Sequence, residues 1–483
     1  MDKKEFKTKS FRAGGYTVAA ACILLVILII INVLVSSLPS TATQYDISTN
    51  RLFTLSDQTK TIASTIDRDI TIYWLVRPGQ EDTSLQTLLD RYKALSKFIH
   101  VERIDPDVYP YFAAQYTDAD VTDNCMIVVS EGPNGTISKF IDSSDLYEYD
   151  YLLYMYSGDL DADFAGEGII TGAIDFVING TYSKMYALVG HGESELPAKY
   201  KIALNNDNIE LEQLSLLSYD MIPEDCNGLL IAVPQSDITE VEADMILDYL
   251  KQGGKMLLVT SPSENGEKFP NLMKVMANYG CGLVDGILLE LESGSYVQNP
   301  LYLLPDIEMH TVTQPLRENN YFVMLPLSQG IAVEEPDRDT LSIDKLLLTS
   351  ENCISKADAF NMTTPEFEEG DTLGPFPVAV SITDIIDTHE NVTTQIFWCS
   401  SKYLLDENTS QRVSGGNQDL FVNAANWMSG HSLNITIQSK HFTNDYLTIP
   451  DNTATVLTVI FAVIVPLIAL LLGIFVWARR RKL

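Results

Sequence analysis

Two long apolar runs stand at opposite ends of the chain, and between them hydrophobic positions recur with the periods of helices and strands. The first, "YTVAAACILLVILIIINVLVSSL" (Tyr16 to Leu38), lies in a stretch without charge from Arg12 to Asp46 and has the length of a bilayer-crossing helix. The second fills 454–478, and Pro466 in its middle is tolerated in lipid, where it bends a helix without ending it. Lys3, Lys4, Lys7, Lys9 and Arg12 precede the first run and "ARRRKL" closes the second. The positive-inside rule then keeps both tails, 1–15 and 479–483, in the cytoplasm and sets everything between the spans outside. The expectation is a plasma-membrane protein with a transmembrane helix at each end, over 16–38 and 454–478. The first run is also longer than the apolar region of a cleaved signal peptide.

The exterior segment exceeds one ordinary domain. Over 45–150, "LSDQTKTIASTI" reads as a helix capped by Ser56, and "DITIYWLV" as a strand. "TSLQTLLDRYKALS" is a helix with Leu85, Leu88, Leu89, Tyr92 and Leu95 on one face, and "IHVERID" and "CMIVVS" are strands. That order predicts a small α/β domain of thioredoxin-like type. A second block over 163–430 opens with the helix "AGEGIITGAIDFVING". It continues through the buried-type strands "KMYALVG", "GLLIAVP" and "KMLLVTSP", separated by helices. The clearest helix is "ITEVEADMILDYLKQGGK", where Thr239 and Glu242 form a capping box and Val241, Met245, Ile246, Tyr249 and Leu250 make a stripe. Alternating strands and helices at this spacing predict a doubly wound parallel sheet of glutaminase or Rossmann-like kind. "FPVAVSI" and "TQIFWCSS" add strands, "NQDLFVNAANWMSG" a helix and "LNITIQSKHF" a last strand, before a membrane-proximal tether over 431–453.

Charge and cysteine content narrow the function. The chain carries 32 Lys and Arg against 65 Asp and Glu, a net charge of −33. With both tails basic, the acid falls on the exterior, which excludes nucleic acid as a partner. Cys125, Cys226, Cys281, Cys353 and Cys399 are far apart and form no CxxC, so buried free thiols are expected and thioredoxin chemistry is not. "DLDADFAGEG" begins like a calcium loop, but Phe164 and Ile170 stand where Gly and a bidentate Glu are needed, which leaves a solvated acidic linker. Neither a phosphate-binding loop of the G-x-x-x-x-G-K-[ST] kind nor metal-ligand spacing among the histidines is present, so no cofactor and no metal are expected.

The candidate site is Gly190-His191-Gly192-Glu193, at the carboxyl end of the strand "KMYALVG", where ligands of open parallel sheets gather. A glutaminase-like hydrolase would place Cys or Ser on a sharp strand-to-helix turn. The corresponding turn reads "VTSPSENG", with Ser261 before a proline and no second histidine nearby. Two readings stay open. One is a structural turn in which the glycines take positive φ, His191 bonds a loop carbonyl and Glu193 accepts from the next helix's N-terminus; the other is contact with a ligand or partner.

The sequence "QYDISTNRLFTLSDQTKTIASTI" after the first span, then "YALVGHGES", "LLIAVPQSDITEVEADMILDYLKQGGKMLLV" and "GGNQDLFVNAANWMSG", with a closing apolar span, resembles the GldG-type auxiliary components of ABC transporters. The resemblance runs from about Tyr45 to the end and rests on the order of the motifs. It implies a non-catalytic exterior subunit beside separate permease and ATPase subunits, with Gly190, His191, Gly192 and Glu193 as a family-marking loop of no assigned reaction. A free-standing surface-binding or scaffold protein and an extracytoplasmic hydrolase are the alternatives.

Overall fold

Short and long connections decide how the strands of this chain run, and two α/β layers result. The computed structural model describes residues 22–33, 53–132, 135–149, 162–179, 182–263, 266–336, 338–387, 392–429, 437, 440–441 and 456–481. Within the first apolar run it describes helix α1, Cys22–Val33; the rest of that predicted span, the tail 1–15 and most of the 431–453 tether lie outside the described residues.

In the first layer Ser56 caps α2 (Asp57–Thr65), its hydroxyl accepting from the Thr59 amide. Strand β1 (Ile70–Leu75) leads through α3 (Thr83–Leu95) to β2 (Ile99–Ile104), which lies parallel to it. β3 (Cys125–Gly132) and β4 (Gly135–Ile141) are joined by two residues and must therefore be antiparallel. The sheet order is β2-β1-β3-β4. Short strands β5 (Tyr147–Tyr149) and β6 (Ala162–Phe164) follow, then α4 (Gly166–Asn179). The sequence places α4 at the head of the second block, yet Ile169, Ile170, Ala173, Ile174 and Val177 enter one core with α2, α3 and the first sheet. Periodicity shows which face of a helix is buried but not against what.

The second sheet begins with β7 (Ser183–Leu188), α5 (Ala198–Asn206), β8 (Ile209–Leu214), β9 (Gly228–Ala232), α6 (Glu240–Lys251) and β10 (Lys255–Val259). After α7 (Pro270–Ala277) come β11 (Asp306–Ile307), β12 (Leu341–Leu348), β13 (Pro377–Asp387) and β14 (Val392–Cys399), then α8 (Gly416–Ser429). The order is β11-β12-β13-β14-β10-β9-β7-β8. β8, β7, β9, β10 and β14 are parallel neighbours, whereas β11, β12 and β13 run antiparallel. The expected all-parallel sheet is thus mixed, because only residues 388–391 join β13 to β14 and a parallel crossover needs a dozen residues or more. Alternate residues of β9 serve opposite faces: Leu229 and Ile231 pack with α6 and α7, Leu230 and Ala232 with α5 and α8. Val241 is 63% exposed; the buried stripe of α6 is Ala243, Ile246, Leu247 and Leu250. The described cysteines are free thiols, with Cys125, Cys281, Cys353 and Cys399 buried and Cys226 partly so.

The layers meet where α4 passes the end of α5. A Cβ on Gly172 would lie 2.4 Å from the Asn206 carbonyl oxygen, so only glycine permits that approach. Lys139 of β4 donates to the Asn205 carbonyl at 3.0 Å and to the Asn208 side chain, and lies over the rings of Phe176 and Tyr182.

The first layer's opening and the chain's return close on Glu167. This residue, 2% exposed, accepts from the Ser56 amide (2.6 Å), the Thr59 hydroxyl (2.7 Å) and Lys440 Nζ (2.6 Å). Lys440 also donates to the Thr54 carbonyl at 2.7 Å, and β15 (Lys440–His441) pairs with β6. The segment read as a solvated acidic linker therefore holds a buried anchor, since its second half starts a core helix. The last described helix, α9, spans Val456–Arg479 with mean hydropathy 3.2 over its most apolar 18 residues, and at about 1.5 Å per residue it is long enough to cross a bilayer. A π-helical turn at Ile460–Ile464 precedes Pro466, which lacks the N–H that a regular helix requires there, and the helix continues beyond it.

Candidate functional site

Across the sheet the parallel strands stand second, first, third, fourth, fifth in chain order, so connections leave β7 and β9 in opposite directions. The crevice between the carboxyl ends of β7 and β9 is the topological switch point of such a sheet, where ligands bind. The Gly190–Glu193 loop occupies it. Both glycines adopt positive φ, Gly190 at 131° and Gly192 at 77°, the conformations that favour glycine. The loop is stitched to the one after β9: the His191 carbonyl accepts from the amides of Gln235 (2.9 Å) and Ser236 (3.0 Å), and the Ser194 amide donates to the Ala232 carbonyl. Val233, at the end of β9, has φ 52°, a strained conformation for a β-branched residue, held by its amide's bond to the Val259 carbonyl.

These turns point His191 inward, 7% exposed, while both glycines remain at the surface. Its Nδ1 lies 3.0 Å from Glu193 Oε1 and its Nε2 3.1 Å from Glu242 Oε2. Glu193 Oε2 accepts from the His191 amide at 2.8 Å. Glu242 Oε2 also accepts from the Thr239 amide (2.8 Å) and hydroxyl (2.7 Å), completing the capping box of α6. Both ring nitrogens are thus engaged at once, one by each carboxylate. Burial drives the Glu242 carboxyl upward, but the Thr239 amide and hydroxyl together with His191 outweigh it and hold the group below its ordinary value. The other oxygen, Glu242 Oε1, is buried without a hydrogen-bond partner among the described residues.

The two glycines take positive φ as the structural reading expects, but the bonds of the turn are not the expected ones. His191 meets carboxylates in place of a loop carbonyl, and Glu193 accepts from His191 in place of the following helix. The helix N-terminus that joins the site belongs to α6, through Glu242. Thr239 and Glu242 were legible as a capping box; nothing in that motif said that its carboxylate would reach a loop 51 residues earlier.

Both ring nitrogens of His191 are occupied by carboxylate oxygens. At the turn after β10, Thr260 is buried and its hydroxyl accepts from Trp398 Nε1 at 2.9 Å. Elsewhere Ser381 Oγ approaches His310 Nε2 at 3.3 Å, but His310 Nδ1 accepts from the Val312 amide, which puts the ring hydrogen on Nε2, where it cannot take the Ser381 proton. No group of three or more His, Cys, Asp or Glu side chains among the described residues is disposed to hold a metal ion. A surface cavity of 420 Å³ beside Tyr321, Phe322 and Arg412 includes none of the loop.

Fold and site together define a mixed α/β protein with a histidine–carboxylate latch at the switch point of its larger sheet. Residues 183–424, half of the chain, match the family described as an ABC-type uncharacterized transport system, and the chain belongs to that family of ABC-transporter auxiliary components. Residues 49–139 match a domain family of unknown function. No curated protein matches. Among solved structures, the mmIFT52 N-terminal domain is 13% identical with a TM-score of 0.38, covering 52% of this chain and 99% of that one. PurLQS from Thermotoga maritima is 14% identical with a TM-score of 0.28, covering 51% and 100%. The exo-β-1,4-mannosidase Op5Man5 from Opitutaceae bacterium strain TAV5 is 9% identical with a TM-score of 0.26, covering 72% and 48%. Scores this low carry over neither fold nor function.

Proposed function

We propose that the chain is a non-catalytic, extracytoplasmic accessory subunit of an ABC transport system, anchored by spans at 16–38 and 454–478 with both tails in the cytoplasm. It works beside separately encoded permease and ATPase subunits. Its exterior comprises a thioredoxin-like layer and a doubly wound layer, and it recognises its partner partly through the Gly190–Glu193 loop. The observation that carries this reading is the commitment of both His191 nitrogens to Glu193 and Glu242. That commitment makes the loop a latch with its histidine turned inward, while the exposed glycine backbone at 190 and 192 admits close approach of another chain. Membership in an ABC-transport family supports the partner class.

The test is co-purification of the full-length protein, expressed at native level and crosslinked in intact membranes. Recovery of a permease and an ATPase is the expected result. Recovery of neither sinks the accessory reading and leaves a free-standing surface-binding protein in its place. Hydrolytic activity of the purified protein that disappears in His191→Ala would instead revive the enzyme reading.

A further inference from the structure

One end of the first layer gathers features that point to a lipid surface. β1 and β2 are parallel, so both end there; β3 runs antiparallel and starts there, with Leu75 opposite Cys125. β4 returns to the same end, with Ile141 opposite Met126, and β5, β6 and the start of α4 follow at once. Glu167 at the head of α4 holds Ser56 and Lys440, so the chain enters and leaves the exterior at that end.

The β2–β3 loop, 105–124, projects from this end. It is pinned to the uncovered face of the sheet by Phe112 and Tyr116, whose rings lie 4.8 and 6.2 Å from Tyr73. Bonds from the Val108 and Tyr109 amides to the Asp105 carbonyl and from the Phe112 amide to Tyr109 give it a fixed shape. That shape holds large apolar side chains in solvent: Val108 is 62% exposed, Tyr109 59% and Tyr111 82%.

We infer that Val108, Tyr109 and Tyr111 form a membrane-contacting tip that seats in the headgroup region of the bilayer holding the spans. The inference rests on the anchored reading above. A tyrosine offers an apolar ring with a polar hydroxyl, which suits the water–lipid boundary. Residues 442–455 separate β15 from α9, a tether of at most about 50 Å when fully extended, so this end of the layer stays near the membrane. Asp105, Asp107, Asp118 and Asp120 in the same loop disfavour an anionic surface, so the headgroups are zwitterionic.

The full-length Tyr111→Trp protein in phosphatidylcholine vesicles tests this. Lys97→Trp, in the exposed turn at the opposite end of the sheet, serves as control, and the parent protein's emission is subtracted. The tryptophan introduced at the tip is expected to emit at shorter wavelength than tryptophan in water and to be quenched by phosphatidylcholine brominated near the headgroup, whereas the control tryptophan is not. A protein that floats with the vesicles while its tip tryptophan emits as in water overturns the inference and leaves the anchoring intact. Failure to float overturns the anchoring and this inference with it. Shielding that appears only after a permease is co-reconstituted assigns the tip to a protein contact and also refutes the lipid contact.

Discussion

His191 stands between two buried carboxylates, so its removal does more than delete hydrogen bonds. In His191→Ala both Glu193 and Glu242 keep their burial and lose the ring nitrogens that face them, and leaving two buried acceptors without these partners costs about 1–3 kcal/mol each. The urea midpoint of unfolding, followed on the full-length protein in detergent, should fall accordingly; a loss no larger than that of one ordinary hydrogen bond would show that the two acids rearrange. Glu242 adds a pH signature. Its folded carboxyl titrates below the ordinary 4.5, so its ionised form contributes stability above that pH, and the contribution disappears as pH falls through the folded value. Glu242→Gln should therefore be less stable than the parent at neutral pH and should approach it on acidification below about 4.5. A gap that stays constant across that range would deny the ionised latch. At this scale the sequence showed the glycines' role and the capping box separately. It did not show their union, because hydrogen bonds across 51 residues depend on two loops meeting at the sheet's edge.

Among the elements, the joint between α4 and the end of α5 carries buried titratable groups whose shifts bring them toward neutral pH. Asp207 follows α5; burial raises its carboxyl from 3.8 to about 7, partly offset by a hydrogen bond from Asn426 and by Lys139, with Asp175 acting in the same direction as burial. Burial also lowers Lys139 to about 8, so its charge is constant in more acidic solution. A raised folded pKa means that stability is fully present below the unfolded value and is lost as pH rises through the folded one. The parent should thus lose stability between about pH 4 and pH 7, and Asp207→Asn, which keeps an oxygen for Asn426, should flatten that slope and be the more stable form at pH 8. Unchanged slopes in thermal scans across this range would contradict it. The elements themselves were largely legible: Ser56, the Leu85–Tyr92 face, the Thr239–Glu242 cap and the helix before Gly430 follow from local pattern. What local pattern could not supply was partnership. The apolar stripe of α4 fits either layer, and "FPVAVSI" looks the same in a parallel or an antiparallel neighbour until the short 388–391 connection is considered.

For the molecule as a whole, the ion pair between Lys440 and Glu167 joins the opening of the exterior to its close. Lys440→Met should cost about 3 kcal/mol by leaving Glu167 buried without its cation, and limited proteolysis should then cut near residues 53–66 first. Cleavage confined to the second layer would show that the pair is dispensable. The same pair also has a bearing on time. On the proposed topology the exterior is delivered from its amino-terminal side, and Glu167 reaches the outside when most of the second layer is still unmade. Until Lys440 follows, the earliest layer to emerge contains a buried acid without its cation and is the less stable for it. On that topology the first part of the domain to be delivered is the last to be finished.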